Sequence, residues 1–346
     1  MPIFDPKISV AGPSRIARRS VLRGAGALGL AASAGLLGTR VSWGAPTGKK
    51  VVFSWSGTGL CLAPVVIARD RGLFEQNQVD VDVISFAGSV DQVLESLATG
   101  KADMAVGLTH AWLKPLESGF DVRIVGSAHG GCLRVLATKE SGIETIEAVR
   151  GKTIGVSSVS GPGRQFFSTY LARRGVDPDK DVEWRAYPGD VLDLAVKKGE
   201  IQVISDSNPN LFLIEKRNPG VFKEIANIQT GDYANRLCCI ITARADLVRD
   251  RKTEVASVVR ALIQASEFTA DNPNEAARIA ANYVPKVPVE DLRAILADLT
   301  YRHHPVGTAL RDEIEFYARD LKGVGVLKKT TDPAKFAKFL TVDVLS

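Results

Sequence analysis

The feature that most constrains the fold is an alternation, run through twice, of short β-branched runs with helical stretches. "VVFSW" (51–55) gives way to a helical pattern through Gly72, and "VDVDVISF" (79–86) then alternates valine with aspartate at the strand period of two. "SVDQVLESLATG" sets Val90, Val93, Leu94 and Leu97 on one helical face, and Gly100 ends it. "ADMAVG" and "VRIVGS" are the next buried runs, separated by "LTHAWLKPLESG". After "CLRVLATKESGIETIEAVRG" the rhythm restarts with "KTIGVSS", a helix from about Gly161 to Arg174, "DVEWRAY", a helix from Asp190 to Lys198, "IQVISD", another helix and "FKEIANI". Strands separated by helices specify parallel sheets covered by helices, and two rounds specify two α/β lobes. From "RLCCIITAR" onward helix follows helix. Val255, Val258, Val259, Leu262 and Ile263 form one apolar stripe, and Asn272-Pro273-Asn274-Glu275 reads as a cap, a proline at the first helical position and a glutamate at the third.

The first 44 residues follow a different logic. "SRIARRSVLRGAGALGLAASAGLLGTRVSWGAP" has the Arg18-Arg19 pair, a small-residue apolar stretch from Gly24 to Thr39 and Ser42-Trp43-Gly44 before Ala45, the three parts of an export signal. The stretch is too short and too glycine-rich for a membrane span of about 20 strongly apolar residues. It resembles a twin-arginine leader: both arginines and Leu22 match, while Ala17, Val21 and Arg23 depart from the preferred residues. "GAGALG" (24–29) matches a dinucleotide fingerprint in form only, because no strand precedes it. The leader also carries the charge. The chain has 44 basic and 39 acidic residues, of which residues 1–44 hold six basic and one acidic, so the remainder is balanced. That balance gives no electrostatic case for nucleic acid or an anionic membrane.

The organisation resembles the solute-binding proteins of ABC importers, in the group of aliphatic-sulfonate, taurine, nitrate and thiamine-pyrimidine binders. The matching stretches are "RDRGLFEQNQVDVDVISFAGSVDQVLESLATGKADMAVG", "IETIEAVRGKTIGVSS" and "VLDLAVKKGEIQVIS", with Glu200 and Gln202 departing from the usual pattern. The resemblance implies a two-lobed periplasmic-binding-protein fold of type II, with two crossing strands as hinge. It divides the chain into an export signal (1–44), a first part of lobe 1 (48–135), lobe 2 (136–236) and a return to lobe 1 (237–346). "CLRVLATK" and "RLCCIITAR" sit where the crossing strands belong and are expected to run near each other. The function implied is capture of a small polar or anionic organic solute, passed to an ABC permease and its ATPase. A periplasmic monomer, exported through the twin-arginine translocase and needing no cofactor, completes the expectation. The alternatives are an enzyme similar to thiamine-pyrimidine synthases, of whose cysteine run only Cys238-Cys239 is present, and a ligand sensor feeding a receptor.

In open α/β sheets ligands bind beyond the carboxyl ends of the strands. The turns there offer Ser56, Thr58 and Cys61 after the first strand, Gly88 and Ser89 after the second, Thr109 and His110 after the third, and His129 after the fourth. The second lobe adds Ser157, Ser158, Ser160 and Gly161 at a helix start, Arg164 in its first turn, and Asp206, Ser207 and Asn208. Hydroxyls and free N–H groups at helix starts suit a carboxylate, sulfonate or amide end, although helix capping favours the same residue types.

The four cysteines leave three readings open. Neighbours on a strand point to opposite faces, so Cys238 and Cys239 are not expected to share one role. They are wall or packing residues, or one of them forms a disulfide with Cys132, or His129, Cys132 and Cys239, with Cys61 close by, form a soft-metal group. No strong zinc spacing is present, and His303-His304-Pro305 reads as a loop. No G-x-S-x-G elbow, P-loop or catalytic carboxylate pair is found, so no catalytic residue is assigned.

Overall fold

Ten strands build two five-stranded mixed sheets in the computed structural model, which describes residues 49–57, 59–86, 90–285 and 287–346. The expected leader and the candidate residues Thr58, Gly88 and Ser89 lie outside the described residues. The strands are β1 (Val51–Ser56), β2 (Val81–Phe86), β3 (Met104–Leu108), β4 (Val122–Gly130), β5 (Leu133–Thr138), β6 (Thr153–Val156), β7 (Glu183–Ala186), β8 (Val203–Ser207), β9 (Phe222–Asn227) and β10 (Leu237–Arg244). The helices are α1 (Pro64–Asp70), α2 (Leu73–Gln76), α3 (Val90–Ala98), α4 (Thr109–Glu117), α5 (Pro162–Arg173), α6 (Leu192–Lys197), α7 (Asn210–Arg217), α8 (Ala245–Asp250), α9 (Lys252–Asp271), α10 (Pro273–Ala281), α11 (Val289–Ala297), α12 (Gly307–Gly323) and α13 (Pro333–Leu340). None of the described helices is long and apolar enough to cross a membrane.

The first sheet runs β2-β1-β3-β10-β4 and the second β7-β6-β8-β5-β9. In each, the neighbours expected from the βαβ rhythm are parallel, and one strand, β10 or β5, is antiparallel to both of its partners. The two long apolar runs therefore become interior strands. β10 is buried along all but its last residue, as a strand covered on both faces must be, whereas the valine/aspartate alternation of β2 fits an edge. Gly107 in β3 is required by packing, since a Cβ there would lie 2.2 Å from the Trp112 ring that α4 lays on the sheet.

"CLRVLATK" and "RLCCIITAR" do not run side by side. They form β5 and β10 and lie in different sheets. The chain changes sheet at Gly131–Cys132 and again between Asn227 and Leu237, and it is these crossings that touch. Gln229 Nε2 donates to the Gly131 carbonyl at 3.2 Å and to that of Asp298 at 2.7 Å. Gly131 has φ +58°, and a Cβ on it would lie 2.1 Å from Gln229 Cγ.

Helix α10 begins with Pro273 as the sequence indicates, but not through a capping box. Asn272 Nδ2 donates back to the Phe268 carbonyl at 3.2 Å, and Glu275 pairs with Arg71 at 2.6 Å. His303 lies in the expected loop, where Nε2 meets Glu313 Oε1 at 2.5 Å.

Candidate functional site

A cavity of about 130 Å³ lies where the strand ends of the two sheets face each other. Ser56 at the end of β1, Cys61 in the turn after it, Leu108 at the end of β3 and Cys132 at the first crossing form one wall. Ser207 at the end of β8, Asn208 in the turn and Asn210 at the start of α7 form the other. Depressions of about 640 and 730 Å³ exist elsewhere, but each is lined from one sheet's side only, so neither can join the lobes through a ligand.

The wall from the second sheet is organised by Asp206. Its carboxylate accepts from Ser157 Oγ (3.2 Å), the Ser207 N–H (2.8 Å) and Asn210 Nδ2 (3.0 Å). Burial holds this carboxyl above its usual range, and the three hydrogen bonds oppose the shift. The Asn208 N–H donates to the Cys132 carbonyl at 2.9 Å, tying the turn to the crossing, while the buried Asn208 Oδ1 has no partner among the described residues.

Other candidates are placed elsewhere. Ser158 and Ser160 hydrogen-bond each other at 3.2 Å, and Gly161 precedes α5. Ser160 and Arg164 border a separate groove of about 320 Å³, where Arg164 is engaged by Asp179 (2.8 Å) and the Val159 carbonyl (2.9 Å). Thr109 Oγ1 donates to the Cys238 carbonyl at 2.8 Å. His110 sits fully buried against the rings of Phe166, Tyr233 and Tyr317, with centroids 5.9, 6.3 and 5.0 Å away. Burial pushes its imidazole down to about 4. Asn210 was not among the sequence candidates, and its position two residues after Asn208 in "SDSNPN" was the available signal.

All four cysteines are free, buried and gathered with His129. A ring nitrogen of His129 and the sulfurs of Cys61 and Cys132 lie within 4.8 Å of one another, and Cys132 Sγ is 3.5 Å from Cys238 Sγ. The expectation that Cys238 and Cys239 serve separate faces fails, because both thiols contact Cys132. The β4–β10 ladder shifts register on either side of Cys239, and such an irregularity breaks strict alternation. Contact with the Cys132 thiol holds the Cys61 sulfur well below the usual thiol range. Burial pushes His129 down, but the Cys61 sulfur, the Cys238 charge and the Gly130 carbonyl together outweigh it and raise the imidazole to about 9. His129 Nδ1 lies 3.0 Å from the Gly130 carbonyl.

Comparison with known proteins places these elements in a wider group. Residues 61–276 match the family model described as NMT1/THI5 like. A Haemophilus influenzae protein provisionally named for thiamine biosynthesis is 27% identical over 236 residues, 64% of this chain and 69% of the relative. The bicarbonate-binding protein CmpA of Synechococcus is 23% identical over 268 residues, 68% of this chain and only 58% of its own length. Among solved structures, the alkanesulfonate-binding protein SsuA of Xanthomonas axonopodis pv. citri, bound to MOPS, superposes with a TM-score of 0.67 at 17% identity, over 83% of this chain and 97% of that one. The periplasmic nitrate-binding protein NrtA of Synechocystis gives 0.69 at 16% identity, over 86% and 87%. The shared fold is the two-lobed one expected from the sequence.

Proposed function

Because the chain belongs to the NMT1/THI5-like family, we propose that it is the solute-binding component of an ABC importer. It holds a small polar organic solute between its lobes and passes it to a membrane permease and its ATPase. The observation that carries this reading is the cavity walled by Ser56 and Cys61 on one side and Ser207, Asn208 and Asn210 on the other. A solute touching both walls binds the closed form better than the open one, which is the condition for ligand-driven closure. At about 130 Å³ the cavity is smaller than the roughly 300 Å³ at which organic-ligand pockets begin, so the solute enters with the lobes parted.

The candidate solutes are sulfonate-, nitrate- and pyrimidine-like; among the similar proteins two are named for alkanesulfonate and nitrate binding and one for thiamine biosynthesis. No lysine or arginine is among the described residues lining the cavity. No lysine or arginine of the lining therefore pairs with the solute, which is held by hydrogen bonds from both walls, and its affinity changes little with ionic strength. No covalent chemistry is assigned. The protein acts as a monomer in the periplasm, delivered by the twin-arginine route through residues 1–44.

The test is thermal melting and calorimetry with taurine, nitrate, bicarbonate and an aminopyrimidine, at about 50 and about 500 mM salt. One class should raise the melting midpoint, with similar affinity at both salt levels. If none binds, and native mass spectra of protein taken from its own host carry no small organic adduct, the reading fails. Retention of a leader-fused reporter in the cytoplasm of a cell lacking the twin-arginine translocase tests the export route.

A further inference from the structure

We infer that Cys61, Cys132 and His129 form a binding site for a soft monovalent cation of the copper(I) class at the base of the hinge, bordering the cavity proposed to hold the organic solute. The three donors come from distant parts of the chain: Cys61 from the turn after β1, His129 from the end of β4, and Cys132 from the crossing. The fold nevertheless brings their ligand atoms within 4.8 Å of one another. For metal–sulfur bonds of about 2.3 Å in a trigonal arrangement, donors stand about 4 Å apart, so closing on an ion requires side-chain movements of under about 1 Å.

The chemistry of the donors selects the ion. Thiols and an imidazole, with no carboxylate in the group, favour soft cations over magnesium, calcium or manganese. A closed zinc site takes four ligands, whereas here three share mutual reach, which suits a three-coordinate d¹⁰ monovalent ion. Cys238, whose sulfur is 3.5 Å from that of Cys132, stands behind the group as a further thiol.

His129 is already oriented for ligation. A carbonyl only accepts, so the 3.0 Å contact between Nδ1 and the Gly130 oxygen puts a proton on Nδ1. This is the backbone anchor that metal-binding imidazoles characteristically make. Nε2, in a fully buried ring, has no hydrogen-bond partner among the described residues. Tyr301 closes the far side, its ring 5.8 Å from that of His129 and its hydroxyl donating to the Cys61 carbonyl at 2.9 Å. Cys61 and Cys132 also line the interlobe cavity, which gives the ion a route from solvent. Binding releases one proton from the Cys61–His129 pair and one from the Cys132 thiol, leaving two thiolates and a neutral imidazole around the cation, and involves no change of oxidation state.

The experiment is a titration of the full chain, reduced and kept anaerobic, with copper(I) against a chromophoric copper(I) chelator and with zinc(II) against a zinc indicator, in the absence of any organic solute. One equivalent of copper(I) should be withheld from the chelator. Cys61→Ser, Cys132→Ser and His129→Ala should each weaken it by about tenfold or more, while Ser160→Ala leaves it unchanged. Copper K-edge absorption of the loaded wild type should show sulfur and nitrogen neighbours, and it decides the matter if a variant does not fold. Failure to retain copper(I) with all four thiols free by chemical titration, tighter binding of zinc than of copper(I), or a first shell without sulfur would overturn the assignment. Because no solute is used, none of these outcomes depends on the transport reading.

Discussion

Arg173 on α5 donates through both Nε (3.3 Å) and Nη2 (2.7 Å) to the carboxylate of Asp320 on α12. Helix α5 packs on the second sheet, whereas α12 reaches the first through the Tyr317 hydroxyl, which donates to the Leu237 carbonyl. The same carboxylate accepts from the Tyr233 hydroxyl. The pair is a clasp between lobes, and it is only partly shielded from water, since the arginine side chain is 32% exposed. Arg173→Ala should cost about 1 kcal/mol of stability and weaken solute binding several-fold by favouring the parted lobes. Unchanged melting and an unchanged solution scattering profile would remove the clasp from the account.

Asn208 gives a sharper test of the cavity. Its backbone N–H serves the crossing, but its side-chain oxygen has no protein partner, so truncation leaves no new buried group unsatisfied. Asn208→Ala should therefore melt within about 1 kcal/mol of wild type while losing about tenfold in solute affinity. Calorimetry on the solute identified by the melting panel reads this directly, and equal affinities would move the site elsewhere.

At the first crossing, strain and packing can be separated. Gly131→Ala places a Cβ at φ +58° and against Gln229; the backbone part alone costs about 1 to 2 kcal/mol. Adding Gln229→Ala should recover the steric part and leave the backbone part. A double variant no more stable than Gly131→Ala would show that the two crossings do not press on each other.

His110 makes stability depend on pH. Burial lowers its folded value to about 4 from an ordinary 6.5, so the unfolded chain binds the extra proton between these values. The stabilisation is complete above pH 6.5 and is lost as the pH falls towards 4, amounting to something on the order of 3 kcal/mol. His110→Phe keeps an aromatic ring among Phe166, Tyr233 and Tyr317 and should flatten that part of the profile. Denaturant unfolding at pH 7 and pH 4.5 measures it, and parallel wild-type and variant curves would contradict it.

Much of this architecture was legible in the residues. Valine/aspartate alternation located β2, apolar runs located β5 and β10, and "SGPGRQF" located the start of α5. What was not legible depended on partners remote in sequence. Nothing local tells that β10 inserts between β3 and β4, so the crossings were assigned to the strands beside them. Arg164 looked available until the fold brought Asp179 to it. The two adjacent cysteines obeyed strand alternation on paper, and only the register shift in the β4–β10 ladder revealed that both reach Cys132. Asp206 and Asn208 were placed correctly at the strand end, but their division of labour, one bracing the turn and the other facing the cavity, needed coordinates.

The strand order also fixes a sequence of assembly. β4 pairs within its sheet only with β10, some hundred residues later in the chain, whereas every strand of the second sheet lies between residues 133 and 227. As the polypeptide leaves the ribosome, the second lobe can complete its sheet while β3 and β4 still present bare edges to the surroundings. Until residues 237–244 emerge, those edges are open to pairing with another chain, and a stalled or truncated product ending before Leu237 would be sticky at the place where the finished protein is sealed.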